Sequence, residues 1–226
     1  MTKRLADKVG LTSSDILLDA ACGHGDSVRY LRTEYGCEAV GVDLSRGLIQ
    51  RTALLHPDKD VGLLIGDGER LPLKDNSFTA VISECSMCLM PGFNDGLSEA
   101  FRVLKPAGKI GITDIAVDGE IPSDLRDVLA RFLCISPTIS RMGYREALLA
   151  RGFERVEAAD ETRSLEELLE IIKKRLFLAE ILTAVGKLSI RKEQLDQGKR
   201  LLSLAKRAVE QKTLKYAMLS GRKPIN

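Results

Sequence analysis

Tryptophan is absent from this sequence, and aromatic residues make up only 4% of it. Recognition of single-stranded nucleic acid by base stacking therefore has little material. The two histidines, His24 and His56, lie far apart and form no metal-binding spacing. No apolar run approaches the length of a membrane span. The first ten residues are polar and charged, unlike an export signal. Net charge is only +2, so neither nucleic acid nor a membrane surface is favoured by bulk electrostatics. Lys and Arg crowd the C-terminal quarter but are interleaved with acids, the pattern of a solvated helical face. The five cysteines, Cys22, Cys37, Cys85, Cys88 and Cys134, are an odd number. Reduced thiols and a cytoplasmic location are expected. Cys85-x-x-Cys88 lacks the second pair that a zinc site needs, and no metal is expected.

What the chain does have is ordinary bulk and a strong local pattern. With 226 residues and 44% apolar content it can form one α/β domain with a small appendage. Short apolar runs alternate with helical stretches, which predicts a parallel sheet covered on both faces. Strands are expected at 15–19, 38–43, 62–65, 79–83, 109–113 and 153–158, with helices at 27–34, 93–104 and 144–150. Lys215 to Gly221 is read as a final strand. Between it and the sixth strand, residues 164–212 read as a helical pair. Ser164-Leu165-Glu166-Glu167 fits a capping box that opens the first helix. Leu165, Leu168, Leu169, Ile172, Leu176 and Ala179 keep helical spacing along it. Leu195, Leu202, Ala205 and Val209 mark the second helix. The partition is thus a core of 1–163 and 213–226 with a helical insert of 164–212. If the sixth strand is parallel to the others, that insert sits beside the ligand edge of the sheet as a cap or lid. On pattern alone, two amphipathic helices packed elsewhere are equally well described. The seven-residue spacing of Leu195, Leu202, Val209 and Tyr216 allows a helix-mediated homodimer, with a monomer as the alternative.

The informative segment is Ile16-Leu17-Leu18-Asp19-Ala20-Ala21-Cys22-Gly23-His24-Gly25. An apolar strand ends in an acid and drops into a Gly-x-Gly turn before a helix. Such a turn lets backbone approach a ligand. The second strand ends in Asp43, about 20 residues on, where a carboxylate can accept both hydroxyl hydrogens of a ribose. The third glycine of a dinucleotide fingerprint is replaced by Val28, and Asp19 would repel a pyrophosphate. A cationic amino-acid tail would be attracted instead.

These features, together with Gly41-Val42-Asp43-Leu44-Ser45, Gly66-Asp67-Gly68-Glu69-Arg70-Leu71-Pro72-Leu73, Asp75-Asn76-Ser77-Phe78 and Arg102-Val103-Leu104-Lys105-Pro106-Ala107-Gly108, resemble class I S-adenosylmethionine-dependent methyltransferases. The resemblance implies a Rossmann-like, doubly wound, seven-stranded α/β sheet with strand seven antiparallel. It implies S-adenosylmethionine as cofactor, S-adenosylhomocysteine as product, and a small-molecule methyl acceptor. Asp19 and the backbone of Ala21, Cys22, Gly23 and Gly25 would hold the methionine part. Asp43 would take the ribose, with Leu44 on the adenine and Ser45 beside it. Asp67, flanked by Gly66, Gly68 and Glu69, would accept from the adenine amino group, although Asp67 also suits a plain Gly-Asp-Gly turn. Ser83 and Glu84 would face the cofactor, and Glu84 and Cys85 the incoming nucleophile.

Within the class, Ile82-Ser83-Glu84-Cys85-Ser86-Met87-Cys88-Leu89, Asp114 to Pro122 with Leu125-Arg126, and Cys134-Ile135 resemble arsenite methyltransferases. That branch implies a soft or thiophilic acceptor (arsenic, selenium or thiol), with Cys134 as a metalloid ligand. The family's further cysteine after strand six is missing. Cys134 equally fits a small buried hydrophobe beside Leu129, Phe132 and Leu133. An NAD-dependent oxidoreductase and a non-catalytic interaction protein are the competing readings.

Overall fold

The computed structural model describes residues 1–55, 62–119 and 139–225. In chain order the elements are α1 (Thr2–Val9), β1 (Ile16–Ala20), α2 (Asp26–Tyr35), β2 (Glu38–Asp43), α3 (Arg46–Leu55), β3 (Gly62–Ile65), β4 (Phe78–Glu84), α4 (Phe93–Val103), β5 (Leu104–Val117), α5 (Arg141–Ala150), β6 (Glu154–Asp160), α6 (Thr162–Ala184), α7 (Lys192–Glu210) and β7 (Leu214–Arg222). One seven-stranded sheet runs in the order β3-β2-β1-β4-β5-β7-β6. β7 is antiparallel to both β5 and β6. β6 therefore points the same way as β1 to β5, and its end lies at the carboxyl edge of the sheet. This is a Rossmann-like architecture with strand seven reversed.

Alternation along the strands produces the layers, because successive side chains point to opposite faces. Leu17, Ala80 and Ile82 pack beneath Leu5 and Val9 of α1, Val28 and Leu31 of α2, and Ile49 of α3. Leu18, Val81, Ile110 and Ile112 face the other way, onto Leu97 and Val103 of α4 and Tyr144 and Leu148 of α5. Gly111 lets α1 approach, since a Cβ there would sit 2.6 Å from Val9 Cγ1.

Several boundaries differ from the sequence reading. β1 starts at Ile16 because Asp15 is committed elsewhere. Its carboxylate accepts from the Thr12 N–H at 2.8 Å and from Lys109 at 2.8 Å. β5 is longer at both ends than 109–113, and a register shift between Phe78 and Ala80 absorbs the Pro106–Gly108 turn. Ser164 caps nothing. α6 begins two residues earlier, and the Asp160 carboxylate accepts from the Thr162 N–H at 2.9 Å instead. Ser164 Oγ accepts from Arg4 at 2.9 Å.

α6 and α7 form an antiparallel hairpin. Leu165, Leu169, Leu204, Ala208 and Val209 bury its root against Val117, Leu214 and Tyr216. Leu168, which the sequence pattern places on the same buried stripe, is exposed. The seven-residue seam does not survive as a helix face. Tyr216 belongs to β7, and Leu195 and Val209 are buried within the chain.

Candidate functional site

The turn after β1 is held open by three left-handed residues, Ala21 (φ 69°), Gly23 (56°) and Gly25 (68°). Glycine adopts this conformation without strain, so two of the three were legible in sequence. Ala21 was singled out only by the family resemblance. The Ala21 and Cys22 N–H groups donate to Val42 O at 2.7 and 3.0 Å, which ties the turn to β2. That close crossing needs Gly41, because a Cβ there would lie 2.5 Å from Cys22 Sγ. The Gly23 N–H donates to Asp43 Oδ2, and the Ser45 N–H to Asp43 Oδ1, both at 2.8 Å. Each Asp43 oxygen keeps a second lone pair for another donor.

Three carboxylates converge at this edge. Asp19 is 2% exposed, and Ser27 Oγ donates to it. Burial pushes its carboxyl up to about 7, and the neighbouring Glu84 and Asp43 charges push the same way. Glu84, at the end of β4, is also raised by burial, against a hydrogen bond from Thr2. Its Oε1 is buried with no partner among the described residues. Such an orphaned acceptor is costly, and so are uncompensated negative charges in a dry cleft.

Next to the turn lies a cavity of about 240 Å³, lined by Asp43, Leu44, Asp67, Gly68, Met90 and other residues of the same loops. Leu44 is 72% exposed at its mouth. Asp67 Oδ1 accepts from the Glu69 N–H at 2.9 Å, so Asp67 is a turn residue that also lines the cavity. Glu69 Oε1 accepts from the Gly92 N–H at 3.0 Å and braces the loop before α4. Gly66 is held by its N–H to Asp43 O at 3.0 Å.

Beyond Glu84 the chain turns at Cys85, itself left-handed at φ 52°. Its N–H donates to Thr113 O at 2.7 Å. Its Sγ is 2.9 Å from Tyr216 Oη, which also lies within hydrogen-bond distance of Thr113 Oγ1 at 3.1 Å. Cys85 is exposed, yet the protein packed around it raises its thiol above the ordinary value. Cys88 is buried, and burial and then Asp114 raise its thiol strongly. The Cys88 N–H donates to Asp114 Oδ2 at 2.8 Å. Both thiols are free, and Ser83 Oγ bonds Ser86 Oγ. His24 turns away toward α3, with Nδ1 3.3 Å from Thr52 Oγ1. Cys134, His56 and the Ile121 to Leu133 residues fall outside the described residues. Among the described residues no three His, Cys, Asp or Glu side chains gather as metal ligands. The sequence reading did not single out Tyr216 or Thr113 for this site. Polar residues at the ends of β5 and β7 were the only signal, and it is a weak one without the strand order.

Fold and site together define a class. Residues 18–112 match the family model of a methyltransferase domain, and the whole chain has the fold of the class I S-adenosylmethionine-dependent methyltransferases. It is 31% identical over 182 residues to a glycine/sarcosine/dimethylglycine N-methyltransferase of Actinopolyspora halophila, covering 76% of this chain and 32% of that protein. It is 37% identical over 123 residues to phthiotriol/phenolphthiotriol dimycocerosates methyltransferase 1 of Mycobacterium ulcerans, covering 54% and 45%. Among solved structures, phosphoethanolamine N-methyltransferase 2 of Haemonchus contortus, bound to phosphomonomethylethanolamine and S-adenosylhomocysteine, superposes with a TM-score of 0.87. That match has 21% identity and covers 99% of this chain and 52% of the other. The chain thus spans about a third to a half of the length of these proteins.

Proposed function

We propose that this chain transfers a methyl group from S-adenosylmethionine to a small molecule. The convergence of Asp19, Asp43 and Glu84 around a glycine turn carries the reading. Three carboxylates so close that Glu84 and Asp43 raise the pKa of Asp19, with Asp43 lining the neighbouring cavity, disfavour an anionic ligand and favour a cationic one. A pyrophosphate-bearing nicotinamide cofactor fits that donor set poorly. A ligand with an ammonium, a sulfonium, a ribose diol and an adenine fits it well. Asp19 would face the methionine ammonium, using its buried position to make a strong ion pair. The free lone pairs of Asp43 would accept from the ribose hydroxyls. Leu44 would cover one face of the adenine, and Asp67 would accept from its amino group.

When bound, S-adenosylmethionine supplies an electrophilic methyl carbon. The protein's own part is to hold the nucleophile in line and to keep water out. The α6–α7 hairpin suits the second task as a cap, because its root rests on Tyr216, which also touches Cys85. Glu84 suits removal of a proton from a nitrogen or oxygen nucleophile, since its orphaned Oε1 can accept one and its raised pKa favours keeping it. The halophile relative is named for methylating amino nitrogens, so an amine is the first acceptor class to try. A soft, thiophilic acceptor is the second reading, favoured by the free Cys85 thiol at the same strand end. With thiols raised above their ordinary value, binding a metalloid there would have to displace protons.

Calorimetry with S-adenosylmethionine and fluorescence titration with NADH separate the two cofactor classes. Release of S-adenosylhomocysteine across a panel of glycine, sarcosine, ethanolamine derivatives, phenols, thiols, selenite and arsenite separates the acceptors. No binding of S-adenosylmethionine at millimolar concentration ends the proposal.

A further inference from the structure

α6 and α7 leave the sheet as a two-helix arm. Leu165 and Leu169, the buried side chains of α6, lie in its first turns and anchor the arm against Val117, Leu214 and Tyr216. Beyond them α6 is apolar on two faces. Ile172, Leu176 and Ala179 are half-buried, and Leu176 reaches Gly198 of α7, where a Cβ would lie 3.0 Å from its Cδ2. Phe177, Leu178 and Ile181 keep helical spacing on the opposite face. Val185 at the helix end and Leu188 in the turn that follows add to the apolar tip. These five side chains are 39% to 64% exposed. So many large apolar side chains at the end of one arm exceed scattered surface residues, and mark a contact surface.

Charge on the arm is as uneven as its hydrophobicity. Residues 173–200 carry eight Lys and Arg against three Asp and Glu, a net +5, and all eight cations are exposed. The remainder of the chain holds 26 against 29 and is net −3. The whole-chain value of +2 conceals this separation. Lys173 and Arg175 lie about 100° to either side of Lys174 around the helix, so cations border the apolar face. A cavity of about 450 Å³ opens on the same arm, where Leu176, Phe177 and Leu202 meet Lys173, Lys174 and Lys199. Its glutamates, Glu170 and Glu180, are each paired with a lysine of α7.

The two properties together select the partner. Nucleic acid would engage the cations but leave the apolar side chains unused. A second copy of the arm would bring two surfaces of the same strong charge together. A bilayer containing anionic phospholipid satisfies both properties. Apolar side chains enter the acyl boundary, while Lys and Arg extend to the phosphates. No described helix is long and apolar enough to cross a membrane, and the arm needs only to lie in the interface. We propose that the tip of the α6–α7 arm docks on the surface of an anionic lipid bilayer, with Phe177, Leu178 and Val185 inserted and the surrounding cations on the headgroups. This stands independently of the methyl-transfer reading.

The chain has no tryptophan, so Phe177→Trp introduces a single reporter at the tip. Its emission should shift to the blue when the full chain meets mixed vesicles of phosphatidylcholine and phosphatidylglycerol. Phosphatidylcholine alone should leave it unchanged, and Leu149→Trp, at an exposed position on α5, should respond to neither. Cosedimentation of the unsubstituted chain with the mixed vesicles should fall steeply with salt. Lys174→Ala combined with Lys187→Ala should weaken it ~30-fold, about fivefold for each lysine. Leu178→Gln combined with Val185→Gln should weaken it at least ~tenfold, with thermal unfolding unchanged because both side chains are exposed. Should the Gln pair unfold early, the Lys pair and the Trp reporter still decide. Failure to sediment with the mixed vesicles at low salt overturns the proposal. So does equal binding to phosphatidylcholine alone, or a dimer that forms in place of vesicle binding.

Discussion

Replacing Asp19 with Asn tests the site most directly, because it separates binding from stability. The carboxyl is buried, and its pKa is raised to about 7, first by desolvation and then by Glu84 and Asp43. An unfolded chain would hold the same group near 3.9. A raised folded-state pKa means that its stabilising share is complete below about 4 and is lost as pH rises through about 7. The difference of roughly three units corresponds to ~4 kcal/mol at pH 8. Asn has almost the same shape, still accepts from Ser27 Oγ, and never ionises. The variant should therefore be more stable than the wild type by up to ~4 kcal/mol at pH 8 and nearly equal to it at pH 4. Urea unfolding at both pH values reads this directly. The same substitution should weaken S-adenosylmethionine ~30-fold or more, because it removes the charged partner of a buried cation. In the wild type, affinity should fall ~tenfold from pH 8 to pH 6, as Asp19 takes up its proton, and the Asn variant should flatten that profile. A variant that is no more stable at pH 8, or that binds the cofactor as well as the wild type, would refute the reasoning. Stability traded for a poised charge is the expected mark of a binding site.

Other expectations concern the same edge of the sheet. Asp43→Ala should weaken S-adenosylmethionine at least ~tenfold by calorimetry, since hydrogen bonds to a charged carboxylate are worth ~1.5–3 kcal/mol. It should also loosen the turn, because the Gly23 and Ser45 N–H groups lose their acceptor. Gly41→Ala places a Cβ 2.5 Å from Cys22 Sγ, and denaturant unfolding should show a loss of ~1–3 kcal/mol from overpacking. Cys85 should react with iodoacetamide more slowly at neutral pH than a free thiol, and Tyr216→Phe should slow it further, because the tyrosine hydroxyl lowers that thiol's pKa. Faster labelling in the Phe variant would mean that Tyr216 acts only as a steric shield.

Much of the architecture was legible because its determinants are local. Strand and helix periods are written in neighbouring residues, so α2, β2, β3, α4 and the α6–α7 hairpin appear close to their expected bounds. Errors fell where a distant partner decides the boundary. Asp15 leaves β1 because Lys109 and Thr79 claim it. Ser164 loses its capping role because Asp160 takes it. Tyr216 leaves the heptad because β7 pairs along β5.

The sequence by itself determined that Asp19, the two glycines and Asp43 share one edge of the sheet, since each lies at a strand end or opens a turn. Only the tertiary structure decided that Glu84 joins them with an oxygen unpartnered among the described residues, and that Gly41 must be bare for Cys22 to cross it. It also decided that Tyr216 reaches Cys85 from 131 residues away. Strand order sets which carboxylates lie close enough to shift one another's pKa. Strand order follows from how whole faces bury their apolar side chains, not from any short stretch of chain.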